Sequence, residues 1–148
     1  MPNSVRSYMT STASFLKNNA YLNLLGKVAY SILVGVFGTI FLVLLLTALM
    51  DIFEVVKFIP WIIAFNTTIT GYSLLDKTRD RLKYKQISSI SAGILNVLIA
   101  YVLLSLVFVY SAGEYLFRGW ALIFFLIIGI VCSELGAILA IRYFKLRK

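Results

Sequence analysis

The sequence predicts an all-α integral membrane protein: a compact bundle of four transmembrane helices, built from two parallel-repeat hairpins and oriented N-in/C-in. Composition is the first observation behind this prediction. Of the 148 residues, 61% are hydrophobic and only 14% are charged, whereas a soluble domain has roughly 25% charged residues. The mean hydropathy is +0.93. Because polar side chains are too few to cover a water-facing surface, the surrounding solvent has to be lipid.

The second observation is the length of the charge-poor runs. About 20 apolar residues cross the roughly 30 Å hydrocarbon core of a bilayer, and four runs are long enough to do so. They are predicted as helices, because a helix satisfies all its own backbone hydrogen bonds in lipid. Pro60 is predicted in the first turn of the second span, where its missing N–H has little cost. The spans are residues 28–50, 58–75, 87–111 and 119–141, within a transmembrane domain of residues 28–143.

The third observation is the position of the basic residues. Twelve of the 14 Lys and Arg residues precede span one, separate spans two and three, or follow span four, and only Lys57 and Arg118 belong to the other side. Cytoplasmic loops of membrane proteins carry the excess of Lys and Arg. Both termini and the central loop are therefore predicted to be cytoplasmic, with the protein in the cell membrane.

The segments outside the spans follow from this orientation. Residues 1–27 form a cytoplasmic N-terminal segment and residues 144–148 a basic cytoplasmic tail. The basic segments are expected to rest on anionic lipid headgroups, each Lys or Arg contributing about 1 kcal/mol. For the N-terminal segment two interpretations stay open, an irregular chain or an interfacial helix, whose apolar face would contain Tyr8, Met9, Phe15 and Leu16.

The residue inventory excludes several functional classes. The chain contains no His and one Cys, Cys132, so it has no ordinary Cys/His metal site and no Ser/His/Asp or Cys/His catalytic group. We therefore expect a protein that is not an enzyme and that has no cofactor or metal. Its basic residues lie at the ends of apolar runs and are not interleaved with exposed aromatic residues, so nucleic-acid binding is not predicted either.

Each predicted span carries one stripe of small and polar residues at helical spacing, the kind of face through which membrane helices pack. Three of these residues, Asn66, Thr70 and Asn96, are candidate translocation or interface residues. An interhelical hydrogen bond is the favoured interpretation for the two Asn residues, and a polar lining that faces a solute is the alternative. The stripes consist of Ser31, Gly35, Gly38 and Thr39; Asn66, Thr70 and Ser73; Ser89, Ala92, Gly93, Asn96 and Ala100; and Gly129, Ser133, Gly136 and Ala140.

Glu134 is a further candidate translocation or interface residue, and it lies apart from the stripe of its own span. An ionised carboxylate that faces hydrocarbon is costly. Either the carboxyl group is protonated or another surface covers it, from a helix of the bundle, a second protomer or a partner subunit. The spans contain no Lys or Arg to pair with it. Its neighbours on a helical wheel are Ile127, Ile130, Ile138 and Ile141.

The two halves of the chain resemble each other. Each opens with a Lys eight residues before a Gly, in "KVAYSILVG" (Lys27 to Gly35) and "KQISSISAG" (Lys85 to Gly93). Each closes with a Gly and a basic segment, in "GYSLLDKTR" (Gly71 to Arg79) and "GAILAIRYFK" (Gly136 to Lys145). This pattern resembles that of GtrA-like membrane proteins, which are short four-span proteins with cytoplasmic termini. The family's usual Asn-Phe pair is replaced in both closing segments.

The resemblance implies the translocation of a polyprenyl-phosphate-linked sugar, or a similar amphipathic anion, for cell-envelope polysaccharide synthesis. Four short helices enclose little room, so a pathway is expected at a protomer interface of a homo-oligomer or a larger membrane complex. The alternative is a non-catalytic subunit, assembly factor or immunity-type protein that docks laterally on a larger membrane complex. Under the first reading, the candidate contacts for lipid phosphate are Lys77, Arg79, Arg142 and Lys145.

Overall fold

A computed structural model of the chain is all-helical. It describes the backbone of residues 3–79, 84–113 and 119–144, and the side chains of those ranges from Leu22 onward, apart from that of Ala112. These ranges contain no strand, so the predicted all-α class is confirmed for them. The helices are α1 (Asn3–Leu49), α2 (Ile52–Thr78), α3 (Lys85–Ala112) and α4 (Gly119–Phe144).

Each of the four helices contains a segment that is long and apolar enough to cross a membrane. Large apolar side chains cover the outside of the bundle, including Phe37, which is 72% exposed, and Trp120, which is 81% exposed. A monomeric soluble protein rarely exposes so continuous an apolar surface. Length, composition and exterior together indicate a multi-pass membrane protein.

The helices α2 and α3 lie in the middle of the bundle. Each of them packs against the other and against both α1 and α4. Within the described ranges, α1 and α4 do not contact each other. They therefore lie on opposite sides of the α2–α3 pair, and each presents a broad face to the surroundings.

The stripes of small and polar residues face the interior, as the sequence predicts. All of their members are buried except Gly38 and Ser73, which are half-buried.

Larger side chains fill the end of the bundle near the turn from α1 to α2. This apolar cluster consists of Val43, Val55, Ile59, Ile62, Ile63, Val97, Leu104, Phe108 and Phe125.

The second helix begins six residues before the predicted span. Asp51 is its N-cap, since the side chain accepts a hydrogen bond of 2.9 Å from the backbone N–H of Phe53. Glu54 lies in the first turn, where the positive end of the helix dipole favours an acidic side chain. Both acidic residues that precede the predicted span therefore lie at the N-terminal end of α2, where they stabilise the helix.

Pro60 consequently lies inside α2, and the prediction that it occupies the first turn is wrong. A proline at this position lacks the N–H that would bond to the carbonyl group of Val56, four residues earlier. Membrane helices tolerate such a proline where neighbouring groups compensate for the lost bond.

The first helix is longer than the predicted span at its N-terminal end. It has 47 residues, which corresponds to about 70 Å at 1.5 Å per residue. The helix does not end at Lys27, so the candidate interfacial helix is continuous with the first span. Because the hydrocarbon core is roughly 30 Å thick, α1 extends well beyond it.

Candidate functional site

The helices α2 and α4 pack backbone to backbone. A Cβ atom on Gly71 would overlap the carbonyl oxygen of Ser133, and a Cβ atom on Gly136 would overlap that of Thr68. The contact is reciprocal, because each glycine meets the residue three positions before the other glycine. The hydroxyl group of Ser89 on α3 donates a hydrogen bond of 2.8 Å to the same Ser133 carbonyl. Three helices are thereby fixed to one another at this point.

The α1–α2 and α3–α4 hairpins are packed through equivalent contacts. A Cβ atom on Gly35 would overlap the hydroxyl oxygen of Thr70, and a Cβ atom on Gly93 would overlap that of Ser133. In each hairpin the added Cβ would also meet a backbone carbonyl oxygen four residues earlier in the second helix, at 3.1 Å and 2.8 Å. A parallel repeat of the hairpin would produce such matching contacts.

Polar side chains of two helices meet beside Gly35 and Gly38 of α1, in a group that we call the central polar cluster: Asn66 and Thr70 of α2, and Asn96 of α3. Asn96 Nδ2 donates a hydrogen bond of 2.6 Å to Thr70 Oγ1. The Thr70 hydroxyl in turn donates to the Asn66 carbonyl oxygen at 2.9 Å. The structure thus brings together three predicted site residues, and Asn96 makes the interhelical bond that the sequence favours.

Asn66 bonds differently from the interpretation favoured for it. Its Nδ2 donates to the carbonyl oxygen of Ile62 in its own helix, at 3.0 Å, and its Oδ1 lies against Gly38 of α1. Because the side-chain N–H of Asn66 already bonds to a carbonyl group four residues earlier in its own helix, it needs no hydrogen bond to a second helix. Asn96 Oδ1 is the exception in the cluster, because it is buried and accepts no hydrogen bond in the described part of the chain.

Glu134 is not part of the central polar cluster. Glu134 follows Ser133 on α4, and because the Ser133 carbonyl group packs against Gly71, Glu134 lies at the depth of Gly71. Within the described ranges, α4 does not contact α1. The Glu134 side chain is half-buried, between exposed Val131 and Ile138 on the same helix. Its carboxyl group has no hydrogen bond or ion pair to any described residue. About 12 Å of helix rise separates it from Arg142.

The basic residues at the end of α2 lie over aromatic rings. Lys77 Nζ is 3.8 Å from the ring centroid of Tyr30 on α1, and the guanidinium carbon of Arg79 is 5.6 Å from that of Phe144 on α4. Such cation–π contacts contribute about 0.5–1 kcal/mol at exposed sites. Neither cation forms an ion pair with a carboxylate of the described ranges. Their positive charges therefore remain available to an anion.

Of the other two candidate phosphate contacts, one lies in the last turn of α4. Arg142 is exposed, at the same end of the bundle as Lys77 and Arg79, whereas Lys145 lies outside the described residues. Arg79 has a backbone φ of 42°, a conformation that a residue other than glycine rarely adopts, and its N–H bonds to the Leu75 carbonyl. Three of the four predicted residues thus lie at one end of the bundle, with Lys77 on the α1 side and Arg79 on the α4 side.

Sequence reasoning missed the aromatic residues Tyr30 and Phe144. Both lie within a few residues of a basic segment, and an aromatic residue next to the basic end of a span is typical of a membrane interface. That pattern could have identified them as partners of the neighbouring cations.

No family model matches the chain, and neither a curated protein nor a solved structure is significantly similar to it.

Proposed function

We propose that the chain is a GtrA-like protein of the cell membrane that moves a polyprenyl-phosphate-linked sugar, or a similar amphipathic anion, across the bilayer for polysaccharide synthesis. In this proposal both termini and the loop between α2 and α3 lie in the cytoplasm. The supporting observation is the basic end of the bundle, where Lys77 and Arg79 contact aromatic rings and no described carboxylate. Each of these cations can bind a phosphate group without displacing an acidic partner.

The apolar exterior suits the rest of such a substrate. A polyprenyl tail can remain in the hydrocarbon beside the exposed faces of α1 and α4, so only the head group has to cross. The close contacts at Gly35, Gly71 and Gly136 fill the centre of the protomer, which favours a route along an outer flank or between protomers. Glu134 is the polar residue on the α4 flank, about 12 Å of helix rise from the basic end, where its carboxyl group can bond to sugar hydroxyls.

Removing the two ring-bound cations is expected to reduce transport. In liposomes loaded with a fluorescent polyprenyl-phosphate-linked sugar, Lys77→Ala combined with Arg79→Ala should lower the transport rate by about tenfold or more, because each charge-assisted hydrogen bond contributes roughly 1.5–3 kcal/mol. The matched control is Lys57→Ala, which removes a cation at the opposite end of α2 and should leave the rate near that of the native protein. Equal rates for all three proteins would contradict the assigned phosphate site.

The role of Glu134 is tested in the same liposomes. Glu134→Gln keeps the size of the side chain and removes its charge, and we expect it to change the transport rate. Glu54→Gln is the control, since Glu54 is exposed at the start of α2. A native protein that moves no lipid-linked sugar, and that co-purifies with a larger membrane protein at a fixed ratio, would refute translocation.

That last outcome would favour the second candidate function, a non-catalytic subunit, assembly factor or immunity-type protein that docks laterally on a larger membrane complex. The observation that favours it is again the α4 flank. Glu134 is half-buried without a described partner, and exposed apolar side chains surround it. A partner helix with a hydrogen-bonding group at the same depth would cover this face.

A further inference from the structure

The outer face of α4 has the residue spacing of a helix that pairs with another helix. Its side chains recur at alternating intervals of three and four residues, which keep them along one line beside a nearly parallel neighbour. All but Glu134 are apolar, and Phe124, Ile127, Val131 and Ile138 are between 45% and 56% exposed. The line, which we call the α4 seam, consists of Phe124, Ile127, Val131, Glu134, Ile138 and Ile141.

The position of α4 in the bundle leaves this seam accessible. Among the described helices, α4 packs against α2 and α3, and α1 lies on the far side of that pair. The seam is on the opposite face of α4 from the buried Gly129, Ser133 and Gly136. A second helix can therefore approach the seam without displacing any described element of the protomer.

Glu134 determines what can cover the α4 seam. Its carboxyl group has no hydrogen bond or ion pair to a described residue, and a purely apolar cover would leave it unsatisfied at considerable cost. The covering surface needs a hydrogen-bonding group at the same depth. Two copies inserted in the same orientation, and related by a two-fold axis along the membrane normal, meet this condition because each residue near the axis faces its own copy. A protonated carboxyl group is donor and acceptor at once, so it complements a second carboxyl group.

We propose that a second copy of this chain covers the α4 seam, in a two-fold dimer whose two Glu134 carboxyl groups hydrogen-bond to each other. The apolar residues of the seam interdigitate on either side of this pair. The pair uses only part of the acceptor capacity of its four oxygens, so a sugar hydroxyl between the protomers can still bond to it. The dimer rests on the membrane insertion assumed in the proposed function, but it does not rest on transport.

Disulfide formation between single cysteines tests the geometry of the dimer. In a Cys132→Ser background, the full chain in liposomes carries Ile127→Cys or Ile138→Cys, and mild oxidation should cross-link both variants into dimers. Phe37→Cys is the control, because Phe37 is 72% exposed on α1, away from α4, and it should remain uncross-linked. Cross-linking of Phe37→Cys but of neither seam variant would overturn the proposal, and so would the absence of cross-linking in all three.

Energy transfer between dye-labelled copies measures the strength of association as the protein is diluted in lipid. Glu134→Ala should raise the dissociation constant by about 5–30-fold, the effect of losing one interhelical hydrogen bond in a membrane. Glu134→Gln keeps a donor and an acceptor at this position and should associate nearly as tightly as the native chain. Glu54→Ala is the control, since Glu54 is exposed at the start of α2. A native chain that is monomeric at every dilution, or native affinity in Glu134→Ala, would contradict the pairing.

Transport is scored separately in the same liposomes. A native chain that dimerises through the α4 seam but moves no lipid-linked sugar would refute translocation and support the pairing. A native chain that transports as a monomer would refute the pairing alone. A monomeric chain whose seam is covered by a different membrane subunit would also refute the pairing.

Discussion

Gly136→Ala is expected to destabilise the folded bundle by about 2–3 kcal/mol, near the upper end for overpacking of a core. The new methyl group would overlap the carbonyl oxygen of Thr68 and lie 3.0 Å from the backbone nitrogen of Tyr72. Neither atom can move by a change of rotamer, so the axes of α2 and α4 have to separate. Gly71→Ala should have a similar effect, because it meets the Ser133 carbonyl in the reciprocal position. Reversible unfolding in mixed detergent micelles measures both changes.

The controls for this prediction are alanine substitutions at two glycines in open space. An added Cβ atom at Gly26 or Gly119 has no heavy atom within 4 Å. Gly26→Ala and Gly119→Ala should therefore leave the free energy of unfolding unchanged, or raise it by up to about 1 kcal/mol through helix propensity. A loss at Gly136→Ala no larger than the changes at these control positions would contradict the close contact between α2 and α4.

The second large effect is expected from Gly35→Ala and Gly93→Ala, one in each hairpin. Each should lower the free energy of unfolding by about 1–3 kcal/mol, because the two glycines meet equivalent groups, and the loss should be larger at Gly35. At Gly35 the added methyl group would overlap Thr70 Oγ1 and Asn96 Nδ2. It therefore breaks the hydrogen bond between these two side chains, in addition to pushing α1 away from α2.

A double-mutant cycle separates this steric effect from a general loss of stability. Thr70→Ala removes the hydroxyl group that the methyl group added by Gly35→Ala would overlap. The variant that combines both substitutions should therefore lose less free energy of unfolding than the sum of the losses of the two single variants. Strictly additive losses would mean that Gly35 and Thr70 are not in contact. A negligible loss at either Gly35 or Gly93 would argue against the equivalence of the two hairpins.

The general architecture could be predicted from the sequence because lipid imposes few alternatives. Charge-poor runs of sufficient length have to be helices, and small residues at helical spacing mark the faces that pack. The buried residues of α4, including Gly129, Ser133 and Gly136, follow this rule. Glu134 also falls outside the buried stripe, as the helical wheel predicts, although the wheel does not identify what covers it.

Details that depend on the partner helix could not be predicted in the same way. Periodicity places Asn66 and Asn96 on inner faces, but it does not show that Asn66 bonds to its own helix while Asn96 bonds to Thr70. That choice depends on the relative height of α2 and α3. The contacts of Lys77 with Tyr30 and of Arg79 with Phe144 join residues far apart in the chain. A single sequence does not specify such pairs.

The central claim is that the bundle spans the membrane with its basic end in the cytoplasm, and accessibility of single cysteines tests it most directly. In a Cys132→Ser background, Glu54→Cys and Gly119→Cys mark one end of the bundle, and Gly26→Cys and Gln86→Cys mark the other. A membrane-impermeant thiol reagent should label the first pair in intact cells and the second pair only after the membrane is opened. The reverse pattern, or labelling of all four in intact cells, would contradict the claim.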